Sequence, residues 1–160
     1  MAIFVEGMQC SLCGKPMTLD QELVGFPPFI PNTLDPLYFI NDATLHAHCF
    51  YNHPLATKSL ERLREGRKTS NHICAVCGQK IDHPDDYFLL GHLTDEPTHP
   101  LYAYNYLQFH KSHLPNWDHL LKAYELLMEL KHSGTWGGKS LDWMLQHLES
   151  ALRSQKDNSD

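Results

Sequence analysis

The chain has 160 residues, of which 42% are apolar and 20% are charged, and its formal charge is −6 at pH 7. This length suits one ordinary domain or two small modules, and the acidic balance argues against a general nucleic-acid binder. No apolar run approaches the roughly 20 residues of a membrane-spanning helix, and the first ten residues lack the pattern of a signal peptide. We therefore expect a cytoplasmic protein with reduced cysteines and no membrane partner.

In chain order, the first half predicts short strands around a C-x-x-C-G knuckle, followed by a helix. The strand-like runs are AIFV before the knuckle, then QELVGF and LYFI after it, and the last two are flanked by Gly or Pro. Helical periodicity follows over 54–66, where Leu55, Leu60 and Leu63 recur on one face.

The second half predicts the same order of elements. Strand-like runs YFLLGHL and LYAYNYL follow a second knuckle, and a helix is predicted over 116–132 with Asn116 as its N-cap. After the break SGTWGGK, Ser140 is predicted to cap a last helix, LDWMLQHLESAL. The predicted organisation is zinc module 1 over 1–68, zinc module 2 over 69–133, and a C-terminal helix with a frayed tail over 134–160.

Two stretches of the chain repeat at one fixed shift along the sequence. CSLCG at 10–14 recurs as CAVCG at 74–78, and PLYFIN at 36–41 recurs as PLYAYN at 100–105. The step from 10 to 74 equals the step from 36 to 100, so no gap is needed to align them. Because this period exceeds that of common solenoid repeats and occurs twice only, it indicates a duplicated module.

The repeat also selects between the ligand-type residues of LHAHCF at 45–50. The same shift places His46 over His110 and Cys49 over His113, both within FHKSH. His48 falls on a serine, so it has no counterpart of ligand type. The sequence therefore predicts His46 and Cys49 as ligands and leaves His48 out.

Each copy thus supplies four ligand-type residues, two from the knuckle and two from the later pair. The predicted ligands are Cys10, Cys13, His46 and Cys49 in the first copy, and Cys74, Cys77, His110 and His113 in the second. Sets of four thiolates and imidazoles are typical of tetrahedral structural zinc, with no position left for a reactive water. We predict two structural zinc ions per chain. A redox pair and an iron–sulfur cluster are alternatives, but the second set has only two cysteines.

A knuckle, a β-hairpin and a helix carrying the second ligand pair are similar to the treble-clef zinc-finger arrangement. CSLCGKPM…LHAHCF also resembles the first half of a LIM module. The resemblance covers about 10–66 and 74–132, and it implies an α+β fold of two tandem treble-clef-like modules with a C-terminal helical extension. The spacing between the ligand pairs, from Cys13 to His46 in the first copy, is longer than in LIM, and no second quartet follows closely. Only the zinc ligands and the local fold are therefore carried over.

With zinc in a structural role, function is expected on the surface, and the first hypothesis is binding of a protein partner. Such a protein would act as an adaptor, an inhibitor or an immunity-type binder. The apolar loop at 26–30 has a more polar counterpart in the second copy, so it is a candidate contact patch. The competing interpretation is that Phe26 and Phe29 fill the groove between the two lobes.

Two other hypotheses compete with this one. The segment 58–68 carries five basic and two acidic residues, so a nucleic-acid-binding helix is the main alternative. A treble-clef nuclease is the lesser one, with His99 and Asn105 in a suitable region, but no convergent set of ligands for an open metal site is evident. We expect a protein that is not an enzyme.

Overall fold

The computed structural model describes residues 4–157, a mixed α+β fold whose chain divides into two compact units. The first unit comprises Met1–Ile30 and Asp35–Glu65, and the second comprises Pro31–Leu34 and Gly66–Asp160. These units are defined by packing and not by independent folding, so the module boundaries at 68 and 133 stay a prediction.

Among the described residues, each unit contains one two-stranded antiparallel sheet. In the first, β1 (Leu23–Gly25) pairs with β2 (Thr44–His46). In the second, β3 (Tyr87–Leu89) pairs with β4 (Gln108–His110). The strands of the two sheets occupy equivalent positions in the repeat. In each hairpin the first residue pairs with the last one, which is a histidine: Leu23 with His46, and Tyr87 with His110.

The prediction of strands at LYFI and LYAYNYL is wrong, because both segments form 3₁₀ helices, Tyr38–Ile40 and Pro100–Tyr104. A side chain just before each helix favours the turn. Oδ1 of Asp35 accepts a hydrogen bond of 2.8 Å from the backbone N–H two residues on, and Nδ1 of His99 accepts the equivalent bond at 3.1 Å. Such local bonds compete with strand pairing and here outweigh strand propensity.

The described residues contain four α-helices: α1 (Ala47–Tyr51), α2 (Ala56–Arg67), α3 (Leu120–His132) and α4 (Ser140–Asp157). The helices α2, α3 and α4 lie where helical periodicity predicted them. The short α1, directly after β2, has no such signal in the sequence. None of these helices is both long enough and apolar enough to cross a bilayer.

Two predicted element boundaries need correction. Asn116 is not the N-cap of α3, because it ends a 3₁₀ helix over Lys111–Asn116 that contains Pro115, and α3 begins only at Leu120. Of the predicted strand AIFV, residues 2 and 3 lie outside the described residues, and Phe4 and Val5 are not in a strand.

The two units have separate hydrophobic cores of unequal size. Among the described residues, nine buried residues form the core of the first unit: Cys10, Met17, Phe26, Ile30, Leu37, Ile40, Leu45, Phe50 and Ala56. Seventeen form that of the second, which extends from β3 and β4 through α3 to α4. The long helix α4 contributes Leu141, Met144, Leu145, Leu148 and Ala151 to this core, so it is an integral part of the second unit.

The segment Pro31–Leu34 packs within the second unit, against the loop that precedes α4. The backbone N–H of Thr33 donates to the carbonyl of Gly137 at 3.2 Å, and the N–H of Gly137 donates to Oδ1 of Asn32 at 2.8 Å. A β-carbon at Gly137 would collide with Thr33 Oγ1. The glycine that reads as a helix break in the sequence is therefore also required for this close approach.

Candidate metal centres

The structure brings the eight predicted ligands together in two groups of four. The groups are Cys10, Cys13, His46 and Cys49, and Cys74, Cys77, His110 and His113. Within each group the ligand atoms all lie within 4.8 Å of one another, as four ligands do around one ion at bond lengths of about 2.0–2.3 Å. All five cysteines are free thiols. Each group can therefore hold one metal ion.

The knuckles place the two cysteines of each motif on one side of a tight turn. The N–H of Gly14 donates to the carbonyl of Cys10 at 2.8 Å, and the N–H of Cys10 donates to the carbonyl of Lys15 at 2.9 Å. Gly14 has φ +69°, in the left-handed region that glycine adopts without strain. Gly78 has φ +68° in the second knuckle, which makes the same two backbone bonds.

The later ligand pair lies at the junction between a strand and a helix. His46 is the last residue of β2 and Cys49 lies in α1, whereas His110 is the last residue of β4 and His113 lies in a 3₁₀ helix. Each histidine thus precedes the helix instead of lying in it, because the antiparallel pairing extends as far as the histidine. The expectation that a helix carries both ligands of the pair is wrong in this respect.

All three histidines of the groups turn Nδ1 toward the sulfur atoms. Nδ1 of His46 lies 3.4 Å from Cys13 Sγ, and Nδ1 of His110 lies 3.6 Å from Cys77 Sγ. His113 Nδ1 lies 3.9 Å from the sulfur of the first knuckle cysteine of its group. Nδ1 is therefore the nitrogen available to a metal in each ring, and Nε2 is left for outer contacts.

Gln21 makes such an outer contact. Its Oε1 lies 3.0 Å from Nε2 of His46 and also accepts a bond of 2.9 Å from the N–H of Thr18. An acceptor at this position holds the proton on Nε2 and leaves the Nδ1 lone pair for the metal. Sequence reasoning missed Gln21, and no local pattern distinguishes it, since it lies far from His46 along the chain.

The first cysteine of each knuckle is buried, and hydrogen bonds to its sulfur lower its pKa and favour the thiolate. Burial raises the pKa of Cys10, but the backbone N–H groups of His46, Leu12 and Cys13 donate to its sulfur and bring the pKa down to about 6. Cys74 also has a pKa of about 6, because burial is again outweighed by three backbone N–H donors, at the equivalent positions of the repeat. Hydrogen bonds to the ionised form are the physical cause in both cases.

Cys49 shows the opposite behaviour. Burial raises its pKa, and contact with Cys13 together with the negative charge of the neighbouring thiolates raises the pKa further, to about 11. Three thiolates so close together repel one another, and a divalent cation at their centre would replace this repulsion by attraction. The donor set of the first group therefore fits a metal cation.

His48 lies beside the first group but not in it. Its Nδ1 is 3.4 Å from Cys49 Sγ, and its side chain is exposed. His48 is not among the four residues whose ligand atoms converge. The neighbouring imidazole can donate a hydrogen bond to the Cys49 sulfur.

The residues considered for a nuclease have other contacts. Asn105 accepts a bond of 2.7 Å from the N–H of Leu93, and its Nδ2 donates to the carbonyl of Thr94 at 2.8 Å, so it fixes the loop before it. His99 accepts from the backbone at the start of a 3₁₀ helix. Within residues 4–157, three or more His, Cys, Asp or Glu side chains converge to hold a metal in the two groups described above.

The basic segment 58–68 does not present all five cations to solvent. Arg62 is only 3% exposed and forms an ion pair of 3.0 Å with Asp35. The other four basic residues are exposed, but so are Glu61 and Glu65 on the same helix. The exposed surface of α2 is therefore mixed in sign, and Arg62 is removed from the set of candidate phosphate contacts.

The apolar loop at 26–30 is largely core. Phe26 and Ile30 are each 3% exposed and belong to the core of the first unit, and the ring of Phe26 lies 4.7 Å from that of Phe50. Phe29 is half-buried against the same core, which leaves Pro28 as the exposed residue of the loop. The large side chains that suggested a contact patch are therefore mostly packed in the core and are not available to a partner.

Together, fold and site define an α+β protein with two Cys/His clusters, each able to hold a metal ion. No protein-family model, curated protein or solved structure matches the chain.

Proposed function

We propose that the protein binds two zinc ions through the eight clustered side chains and uses them as structural cross-links. The observation that carries this proposal is the convergence of four ligand atoms within 4.8 Å in each unit. Donor chemistry supports zinc, because a Cys₃His and a Cys₂His₂ set are both typical of tetrahedral zinc. The convergence of all four ligand atoms in each group also suits a single ion.

We also propose that the two units are copies of one treble-clef-like module. Contacts that the sequence pattern alone would not reveal support this idea. Oδ1 of Asn41 accepts hydrogen bonds from two consecutive backbone N–H groups at 2.8 Å, and Oδ1 of Asn105, its counterpart in the repeat, does the same at 2.7 and 3.2 Å. Asp42 and Tyr106 both adopt positive φ at matching positions.

The activity we propose is binding of a protein partner, without catalysis. Four protein ligands per ion leave no coordination position for substrate or water. The net charge of −6 and the mixed-sign surface of α2 are unfavourable for a phosphate backbone. Large apolar side chains do reach solvent, among them Leu19, Tyr51 and Leu121, and aromatic and aliphatic anchors of this kind are what protein interfaces bury.

The metal part of the proposal is tested by elemental analysis and native mass spectrometry of the purified chain. Two zinc ions per chain are expected. One ion or none, or visible absorption from iron, would contradict it.

The partner part is tested by capture from native lysate, with and without nuclease digestion, for the wild type and for a variant with Arg64→Glu and Arg67→Glu. These two arginines are chosen because they are exposed. Protein capture should survive both nuclease and charge reversal. Capture that is lost after nuclease digestion and weakened by the two substitutions, with a shallower salt dependence in the variant, would favour the nucleic-acid alternative instead.

A further inference from the structure

The two clusters differ at one ligand, and this changes their charge. Cys49 in the first group corresponds to His113 in the second, so the first group has three sulfurs and the second has two. With one Zn²⁺ bound and all thiols ionised, the first group has a net charge of about −1 and the second about zero. The first group is therefore the more electron-rich of the two.

The sulfurs also differ in accessibility. Cys10 and Cys74 are 0% and 1% exposed, which shields the first cysteine of each knuckle. Cys13 is exposed and Cys49 is half-buried, and their sulfurs lie within 4.8 Å of each other. In the second group Cys77 is half-buried, and its one sulfur neighbour is the buried Cys74. Of the two groups, only the first has two accessible sulfurs side by side.

We propose that the first cluster is an oxidant-responsive site, in which a hydroperoxide converts Cys13 and Cys49 to a disulfide and releases the zinc, while the second cluster keeps its metal. This inference rests on the proposed binding of two zinc ions. Thiolate character and exposure govern oxidation of cysteine. Bound zinc would hold the sulfurs of both clusters as thiolates, and the first cluster has the more exposed pair of sulfurs.

The chemistry balances with the hydroperoxide as the oxidant. The Cys13 thiolate attacks the peroxide oxygen, the O–O bond breaks, and a sulfenic acid forms as hydroxide or alkoxide leaves. The Cys49 thiolate then attacks the sulfenic sulfur, the S–S bond forms and hydroxide leaves. The two sulfurs give up two electrons, two protons from solvent neutralise the leaving groups, and Zn²⁺ departs with its charge unchanged because two of its four ligands are lost.

The proposal is tested on the zinc-loaded full chain with hydrogen peroxide and a chromogenic zinc chelator. The wild type, first shown to contain two zinc ions, should release one equivalent in a fast phase and retain the other. The chain supplies its own matched controls. Cys49→His gives the first group the ligands of the second and should remove the fast phase, whereas His113→Cys should add a second fast equivalent.

The outcomes separate this inference from the one on which it rests. Fewer than two zinc ions before oxidant is added would contradict the zinc proposal itself. Two zinc ions released together, or from the second cluster first, would overturn the oxidant-responsive site alone. If Cys49→His fails to bind zinc, peptide mapping of the oxidised wild type decides: a Cys13–Cys49 disulfide supports the proposal, and a Cys74–Cys77 disulfide or unmodified Cys13 contradicts it.

Discussion

His48 and Cys49 are neighbours in the sequence, yet only Cys49 has its ligand atom in a group of four. We predict that Cys49→Ser lowers the zinc content from two ions to one, because the first group loses a thiolate. His48→Ala should retain both ions, since it removes only a hydrogen-bonding neighbour at 3.4 Å. Native mass spectrometry measures both. Equal zinc loss in the two variants would show that the ligand of the first group is misassigned.

Gln21 orients a ligand without binding the metal itself. We predict that Gln21→Ala weakens zinc binding at the first cluster by about tenfold or more, which is the usual effect of removing a residue that hydrogen-bonds to a metal ligand. Gln21→Glu is the control, because its carboxylate keeps an acceptor for both His46 Nε2 and the Thr18 N–H. Competition with a chelator of known affinity measures the change. Wild-type affinity in Gln21→Ala would argue against the orienting role.

At the scale of elements, the loop before each 3₁₀ helix depends on one asparagine. Within residues 4–157, Asn41 uses only its side-chain oxygen, which accepts from two backbone N–H groups, whereas Asn105 also donates from Nδ2 to Thr94. We predict that Asn41→Asp changes stability by about 0.5 kcal/mol at most. Asn105→Asp should cost about 1–3 kcal/mol, because a donor becomes an acceptor facing a carbonyl.

Urea denaturation of the zinc-loaded variants tests this difference. Asn41→Ala is the positive control, since it leaves two backbone N–H groups without an acceptor and should also cost about 1–3 kcal/mol. Equal stability of the two aspartate variants would show that the Nδ2 bond of Asn105 contributes nothing measurable.

At the scale of the whole molecule, the two cores predict unequal dependence on zinc. The first unit has nine buried core residues among those described and the second has seventeen. A small core is the one that needs a metal cross-link to fold. Zinc removal by a strong chelator should therefore unfold the first unit while α3 and α4 remain packed.

The positions of the tryptophans make this measurable. Trp117, Trp136 and Trp143 are the three in the chain, and all belong to the second unit. Chelation should reduce far-UV circular dichroism in part while tryptophan emission stays close to native. Unchanged dichroism would contradict a structural role for zinc, and a red shift that accompanies the first loss of dichroism would contradict the order of unfolding.

Some predictions from sequence agree with the structure because they depend on chemistry and local spacing. The eight ligand-type residues could be grouped in advance, since C-x-x-C-G turns are local and the constant shift of the repeat relates the later pairs. The positions of α2, α3 and α4 followed from periodicity. The strands β2 and β4 could not be recognised in this way, because each has only three residues and is defined by its partner across the hairpin.

The amino-acid sequence by itself thus determined which side chains are suited to bind metal and roughly where the longer helices lie. Only the tertiary structure decided the roles of Arg62, Phe26 and Gln21. Arg62, although it lies in a basic segment, is buried against Asp35. Phe26, in an apolar loop, packs on Phe50, and the exposed side chain of Gln21 hydrogen-bonds to the distant His46. Burial and hydrogen bonding depend on tertiary contacts with residues that are distant in the sequence, and no local sequence pattern specifies those contacts.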